Sequence, residues 1–393
     1  MLRSLFAGIS GLRAHQTMMD VTGNNIANVN TFGFKSSATV FEDTLSQMLK
    51  AAGAPQGGNG GTNPAQVGLG VRMAAINTNF SQGAAQNTGR NTDLMINGDG
   101  FFVVRDNGDA KYTRSGAFTF DANGKMTSPD GGVVQGWTAV NGVVDTNAAP
   151  GDVTLPIGTL LQPKPTQNVT VGGNLPADTT STTPVITSIV TYDSQGNQQP
   201  LTVQFDKVSP TSWNVTVTDG AVTAGPTAIN FAANGSTPAP TSVTLANGLK
   251  VDLSSVTSYA GSSTIAALSQ DGAEMGSLQS FTISSDGVLV GVFSNGLKQP
   301  LAQIAMATFN SPPGLEKVGD SMYRSTVNSG EAQLGTAGNG GRGMVQAGAL
   351  EMSNVDLAAE FTNLIIAQRG FQANSKVIST SDELLQDLVN LKR

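Results

Sequence analysis

The 393-residue chain predicts a multidomain α+β protein, with N- and C-terminal α-helices paired as a coiled-coil-like layer and two mainly antiparallel β domains nested between them. Three observations predict this class. Toward the C-terminus Leu350, Leu357, Leu364, Phe371, Ile378 and Leu385 recur every seven residues, with no proline in 348–393. Near the N-terminus Leu5, Leu12, Met19 and Ile26 repeat at the same spacing, and Leu2 and Ile9 add a second row. Such a repeat keeps one apolar seam facing a helical partner. Between the two ends, alternating apolar runs are punctuated by Asn-Gly and Asp-Gly pairs, the residues that supply the positive φ of tight hairpin turns.

In chain order, the first helix is expected over 2–27. Gly8, Gly11 and Gly23 each lower its intrinsic helicity by about 1 kcal/mol relative to alanine. Packing must therefore supply its stability, and Gly8 and Gly11 either are merely tolerated or admit a neighbouring backbone. Asn28 to Lys35 breaks the helix with turn residues and two aromatics, closing an N-terminal helical segment at 1–35. Residues 41–50 read as a short second helix and 51–66 as a glycine-rich flexible linker and hinge, so that 36–66 connects the helical layer to the β region. Strand patterns then give an inner β domain at 67–162 and 276–352. Pro156, Pro163 and Pro165 mark the boundary of an inserted outer β domain at 163–275. The C-terminal helical segment is expected over 353–393, with Ser353 as its cap, Asp356 as a capping-box partner and Glu360 near the positive end of the helix.

Charged residues make up only 12% of the chain, about half the usual share. The formal charge of −7 offers no excess of lysine and arginine for phosphates, which argues against a nucleic-acid partner. Residues 1–35 carry +2 and 357–393 carry 0, so the acidity lies in the middle and does not oppose association of the ends. With no cysteine, disulfides and thiolate metal sites are excluded; the absence suits export in an unfolded state, and chance explains it nearly as well. No run of about 18 apolar residues exists for a membrane span, and the periodic N-terminus does not read as a cleavable signal.

No catalytic, metal or cofactor site emerges. The single histidine, His15, sits on the first helix without a carboxylate or second ligand nearby in sequence and reads as a surface or interface residue. The glycine-rich pieces at 58–63 and 338–343 lack phosphate-loop spacing. The Asp/Asn turn at 106–109 lacks the terminal glutamate of a calcium loop. Sequons at Asn168, Asn214 and Asn234 matter only where a glycosylation system meets the chain. The terminal seams are what remains. Either they staple a monomer shut, or they complete their burial against other copies, and non-closing contacts between identical subunits make a helical polymer.

Particular segments carry a resemblance: SGL at 10–12, GNNIANVNTFGFKSS at 23–37, NGDGFFVV at 97–104, YTRSGAFTFDANG at 112–124 and the run from 348 to 391. In these the chain resembles the flagellar axial family of rod and hook proteins. The motif residues that carry it are Asn24, Asn25, Ala27, Asn28, Gly33, Phe34, Lys35, Ser353, Asn354, Gln368, Arg369 and Asn374. Residues 163–275 match only in outline. A chain of 393 residues with one inserted β domain fits the hook branch better than the shorter rod or longer hook–filament junction branches. The resemblance implies a structural, self-assembling subunit of an extracellular curved tube that transmits motor torque, with the terminal helices lining its channel. The implied partners are other copies, the flagellar export apparatus, the hook cap, the distal rod protein and the hook–filament junction protein. A rod or junction component is the near alternative, and a secreted adhesin or binding module the alternative of a different class.

Overall fold

The computed structural model describes residues 2–55, 60–140, 142–156, 158, 160–178 and 183–390. The last three residues of the expected C-terminal helix and part of the 58–63 motif lie outside these. The architecture is mostly β, with two long helices, α1 (Leu2–Ala27) and α2 (Leu357–Asn390). The chain divides into two compact units, one of Met1–Leu155, Thr282–Val290 and Pro300–Arg393, the other of Pro156–Phe281 and Gly291–Gln299.

The first unit holds both helices and a β core. Phe101–Asp106 pairs with Asp109–Thr113 through a two-residue turn at Asn107 and Gly108, whose φ values of 51° and 92° are those the Asn-Gly pair is suited to adopt. Val133–Val140 pairs with the first of these strands, and Met322–Arg324 with the second. Phe101, Tyr112, Trp137, Phe309 and Tyr323 fill the core beneath, several in edge-to-face contact, such as Tyr112 on Phe309 at 4.8 Å between ring centroids.

Residues 41–50 are not a helix. Ser37–Asp43 and Ser46–Lys50 are strands, paired antiparallel with Val71–Thr78 and Ala65–Gly68. Within the expected linker, a bridge between Gly53 and Thr62 continues the same hairpin.

The second unit has a separate core. Val185–Tyr192, Gln198–Ser209, Ser212–Asp219 and Val222–Phe231 form an antiparallel meander. Ser212–Asp219 shows strict alternation, with Trp213, Val215 and Val217 buried and the residues between them half-buried. A second sheet contains Asn168–Asn174, paired parallel with Lys250–Thr257. Val169, Val171, Val251 and Leu253 from this sheet and Leu201, Phe205 and Trp213 from the meander belong to one buried cluster.

Candidate assembly interface

Where α1 leaves its last turn, short polar side chains replace backbone partners. Asn28 Nδ2 donates to Asn24 O at 3.0 Å, and Thr31 Oγ1 donates to Asn28 Oδ1 at 3.0 Å. Asn25 is buried and joins three segments: its Nδ2 donates to Ser37 O at 2.8 Å and to Glu360 Oε1 at 3.0 Å, and its Oδ1 accepts from the Ser37 amide at 3.0 Å. Gly33 has φ +69°, and a Cβ there would fall 2.5 Å from the Ser115 nitrogen. Its amide donates to Glu351 O at 2.8 Å, so a close backbone approach fixes the choice of glycine.

Beside it lies a buried charge cluster. Lys35 Nζ is 2.6 Å from Glu351 Oε1, both side chains fully buried, and it also donates to Ser81 O at 2.7 Å. Arg114 Nη1 lies 3.6 Å from Glu351 Oε2 and donates to Gly98 O at 2.9 Å. Burial pushes the Lys35 ammonium below its ordinary pKa, with Glu351 pulling it back up. Asn354 completes the junction, accepting from the Ser36 amide at 2.8 Å and donating to Asn79 O at 2.8 Å. The Phe34 ring receives Lys317 Nζ at 4.9 Å from its centroid.

The cap of α2 is Asp356, whose Oδ1 accepts from the amides of Ala358 (2.9 Å) and Ala359 (3.3 Å). Ser353, the residue expected there, instead accepts from the Val355 amide at 3.3 Å, one turn too early to cap the helix.

The helices run antiparallel, with Gly8 against Ile378, Gly11 against Asn374, Gly370 against His15 and Asn25 against Glu360. A Cβ on Gly11 would lie 2.8 Å from the Asn374 amide group, and one on Gly370 would lie 2.4 Å from His15 Nε2. Close approach is thus the role of Gly8 and Gly11, while Gly23 has nothing within 4 Å. The His15 ring lies tilted against that of Phe41, 6.1 Å between centroids, and its Nδ1 is buried without a hydrogen-bond partner among the described residues.

Leu5, Leu12, Met19, Ile26, Leu364, Phe371, Ile378 and Leu385 are half-buried, and Leu357 is 40% exposed. The most buried stripe lies beside them and consists of Gly8, Gly11, Ala14, Thr22 and Asn25 on α1 with Ala367 and Ser381 on α2. Sequence reasoning missed much of this stripe because alanine and serine leave little trace in a hydrophobic period. Of the motif residues, Asn25, Asn28, Gly33, Phe34, Lys35, Ser353 and Asn354 gather at the junction, and Asn374 joins the helix pair. Among the described residues Asn24 contributes its carbonyl and a weak side-chain contact to Asn28, and Ala27, Gln368 and Arg369 stand exposed.

Apolar residues also occupy both flanks of the α2 seam. Leu357, Phe361 and Ile365 recur every four residues on one side. Ile366, Val377 and Leu384, spaced 11 and 7 apart, occupy the other, and all six are at least 40% exposed. Among the described residues no helix is long and apolar enough to cross a membrane, so these faces are not explained by a membrane span.

Comparison with known proteins gives consistent matches. Family models match at 5–35 (flagella basal body rod protein), 95–182 (flagellar hook protein FlgE/F/G D1 domain), 161–273 (flagellar basal body protein FlaE D2 domain) and 346–391 (flagellar basal body rod FlgEFG protein C-terminal). The flagellar hook protein FlgE of Borreliella burgdorferi is 40% identical, with all of both chains covered. That of Treponema pallidum is 38% identical, again with both fully covered. The flagellar basal-body rod protein FlgG of Bacillus subtilis is 34% identical over the full length of both. In fold, the crystal structure of Helicobacter pylori flagellar hook protein FlgE2 covers 68% of this chain and all of its own, with a TM-score of 0.52 at 16% identity.

Proposed function

This chain belongs to the flagellar hook protein family, and from that premise we propose how its parts divide the work of the hook. It is a structural subunit of the extracellular hook of the bacterial flagellum, not an enzyme, and it self-polymerises as the family does. In our reading α1 and α2 form a coiled-coil-like polymerisation core, with the seam residues Leu5, Leu12, Met19, Ile26, Leu357, Leu364, Phe371, Ile378 and Leu385 closing fully only in the polymer.

The observation that carries this reading is the pair of exposed apolar flanks on α2. A helix apolar on one face packs against one neighbour, and large apolar side chains left exposed beyond that face mark a further contact. Neighbouring copies supply that contact in a heterologous, non-closing arrangement, which generates a helical tube. Close-packed helices deform little and would resist twisting. The second unit, rich in Thr, Ser, Asn and Gln, would offer wet polar contacts that slide as the tube bends. That combination passes motor torque through a curved joint.

The export apparatus, the hook cap, the distal rod protein and the hook–filament junction protein are the further partners this reading requires. Immunogold microscopy of detergent-released flagella with antibody against 163–275 tests the placement. Gold on the short curved segment is expected, and gold on the straight rod alone would refute it.

A further inference from the structure

We propose that the last two turns of α2 dock in a groove on α1 of a second copy. This rests on the polymer reading above and names the contact that links one subunit to the next. The antiparallel register, with Gly8 at Ile378 and Gly11 at Asn374, sets Leu2 opposite Glu383. Among the described residues, 384–390 therefore extend beyond α1 within the same chain. Leu384 is 56% exposed there and Val389 69%. Asp387 lies in this overhang and Asp382 and Glu383 immediately before it, and none forms an ion pair among the described residues. Among the described residues this end of α2 is amphipathic and acidic, and 384–390 have no α1 residue opposite them.

The receiving surface lies on the other side of α1. Phe6, Ile9, Ala14, Val71 and Met73 line a cavity of about 430 Å³ between α1 and Val71–Thr78, with Phe6 63% exposed. Arg13 and Arg72 also line it, and Arg13 has no ion-pair partner among the described residues, while Arg72 is paired with Glu42. An apolar groove edged by guanidinium groups complements an apolar helix end edged by carboxylates. The two surfaces lie on different parts of the chain, so the contact is heterologous and propagates instead of closing. Leu384, and Val389 where the groove is long enough, would enter it, with Glu383 or Asp387 against Arg13.

The cysteine-free background permits a direct test. An epitope-tagged Phe6→Cys chain and an untagged Leu384→Cys chain are mixed, polymerised on seeds and oxidised, so that any mixed crosslink lies between copies. A tagged–untagged dimer that forms in polymer and not in monomer is expected. Polymer with no such dimer overturns the docking while leaving the polymer reading intact. Failure of the wild-type chain to polymerise under any seeding overturns both. In parallel, Arg13→Glu should slow elongation about tenfold, by placing like charges together. Adding Glu383→Arg and Asp387→Arg to the same chain should restore it. Elongation of Arg13→Glu at the wild-type rate, with native circular dichroism, would also overturn the proposal.

Discussion

Glu351 holds two cations at once. Its Oε1 is 2.6 Å from Lys35 Nζ and also accepts from the Gly83 amide at 2.9 Å, while Arg114 approaches Oε2, all out of water. Removing one member of a buried ion cluster leaves uncompensated charge, a loss of about 3–5 kcal/mol. Glu351→Gln should therefore lower the thermal midpoint of unfolding strongly, more than loss of an exposed pair such as Arg324–Glu316, where about 0–1 kcal/mol is at stake. The pH dependence has a definite sign. Burial already depresses the folded-state pKa of Lys35, and removing the Glu351 charge depresses it further. Above that folded value the unfolded chain binds more protons than the native one, so stability rises with pH until the unfolded value of about 10.4. The deficit of Glu351→Gln measured by denaturant titration should be greatest near pH 7 and shrink as pH approaches 10. A deficit independent of pH would mean that Lys35 does not neutralise in the variant.

At the scale of elements, the glycines of the helix pair separate propensity from packing. Gly23→Ala adds a methyl group into open space and should stabilise by up to about 1 kcal/mol, by the gain in helix propensity. Gly370→Ala gains the same propensity but drives its methyl group into the His15 ring, which Phe41 confines, and should cost about 1–3 kcal/mol net. Midpoints moving in opposite directions in thermal melts would support the packing account; equal shifts would sink it. The bounds of α1 were legible because a sevenfold repeat ends at a cluster of turn residues. Residues 41–50 misled for a related reason. Phe41, Leu45, Met48 and Leu49 fall at i, i+4, i+7 and i+8, a helical period, yet the chain there is a hairpin arm with Leu45, Met48 and Leu49 exposed. Pairing with residues 15 to 32 positions away overrode the local pattern. Lys35 and Glu351 are 316 residues apart, and no local period announces such a partner.

For the whole molecule, the separate cores imply separable folding. Every buried residue of the second unit's cluster, from Val169 to Val256, lies inside 163–275. The aromatic core of the first unit draws on 101–137 and 305–323 and contributes nothing to that cluster. A domain with its own core and few shared contacts unfolds as its own cooperative unit. Calorimetry of the full chain should resolve two transitions, and a fragment of 163–275 should reproduce one of them. A fragment lacking near-ultraviolet signal and a cooperative melt would refute this independence. Excision of 163–275, with the two cut ends rejoined by a short linker, then isolates the role of the second unit in the hook. The proposed polymerisation core keeps α1, α2 and the junction at Lys35 and Glu351, so tubes should still form. What they should lose is the sliding polar contact proposed for the second units, seen by electron microscopy as altered curvature. Loss of tubes altogether, from a variant that keeps the melt of the first unit, would place essential assembly contacts in the second unit and overturn the division of labour.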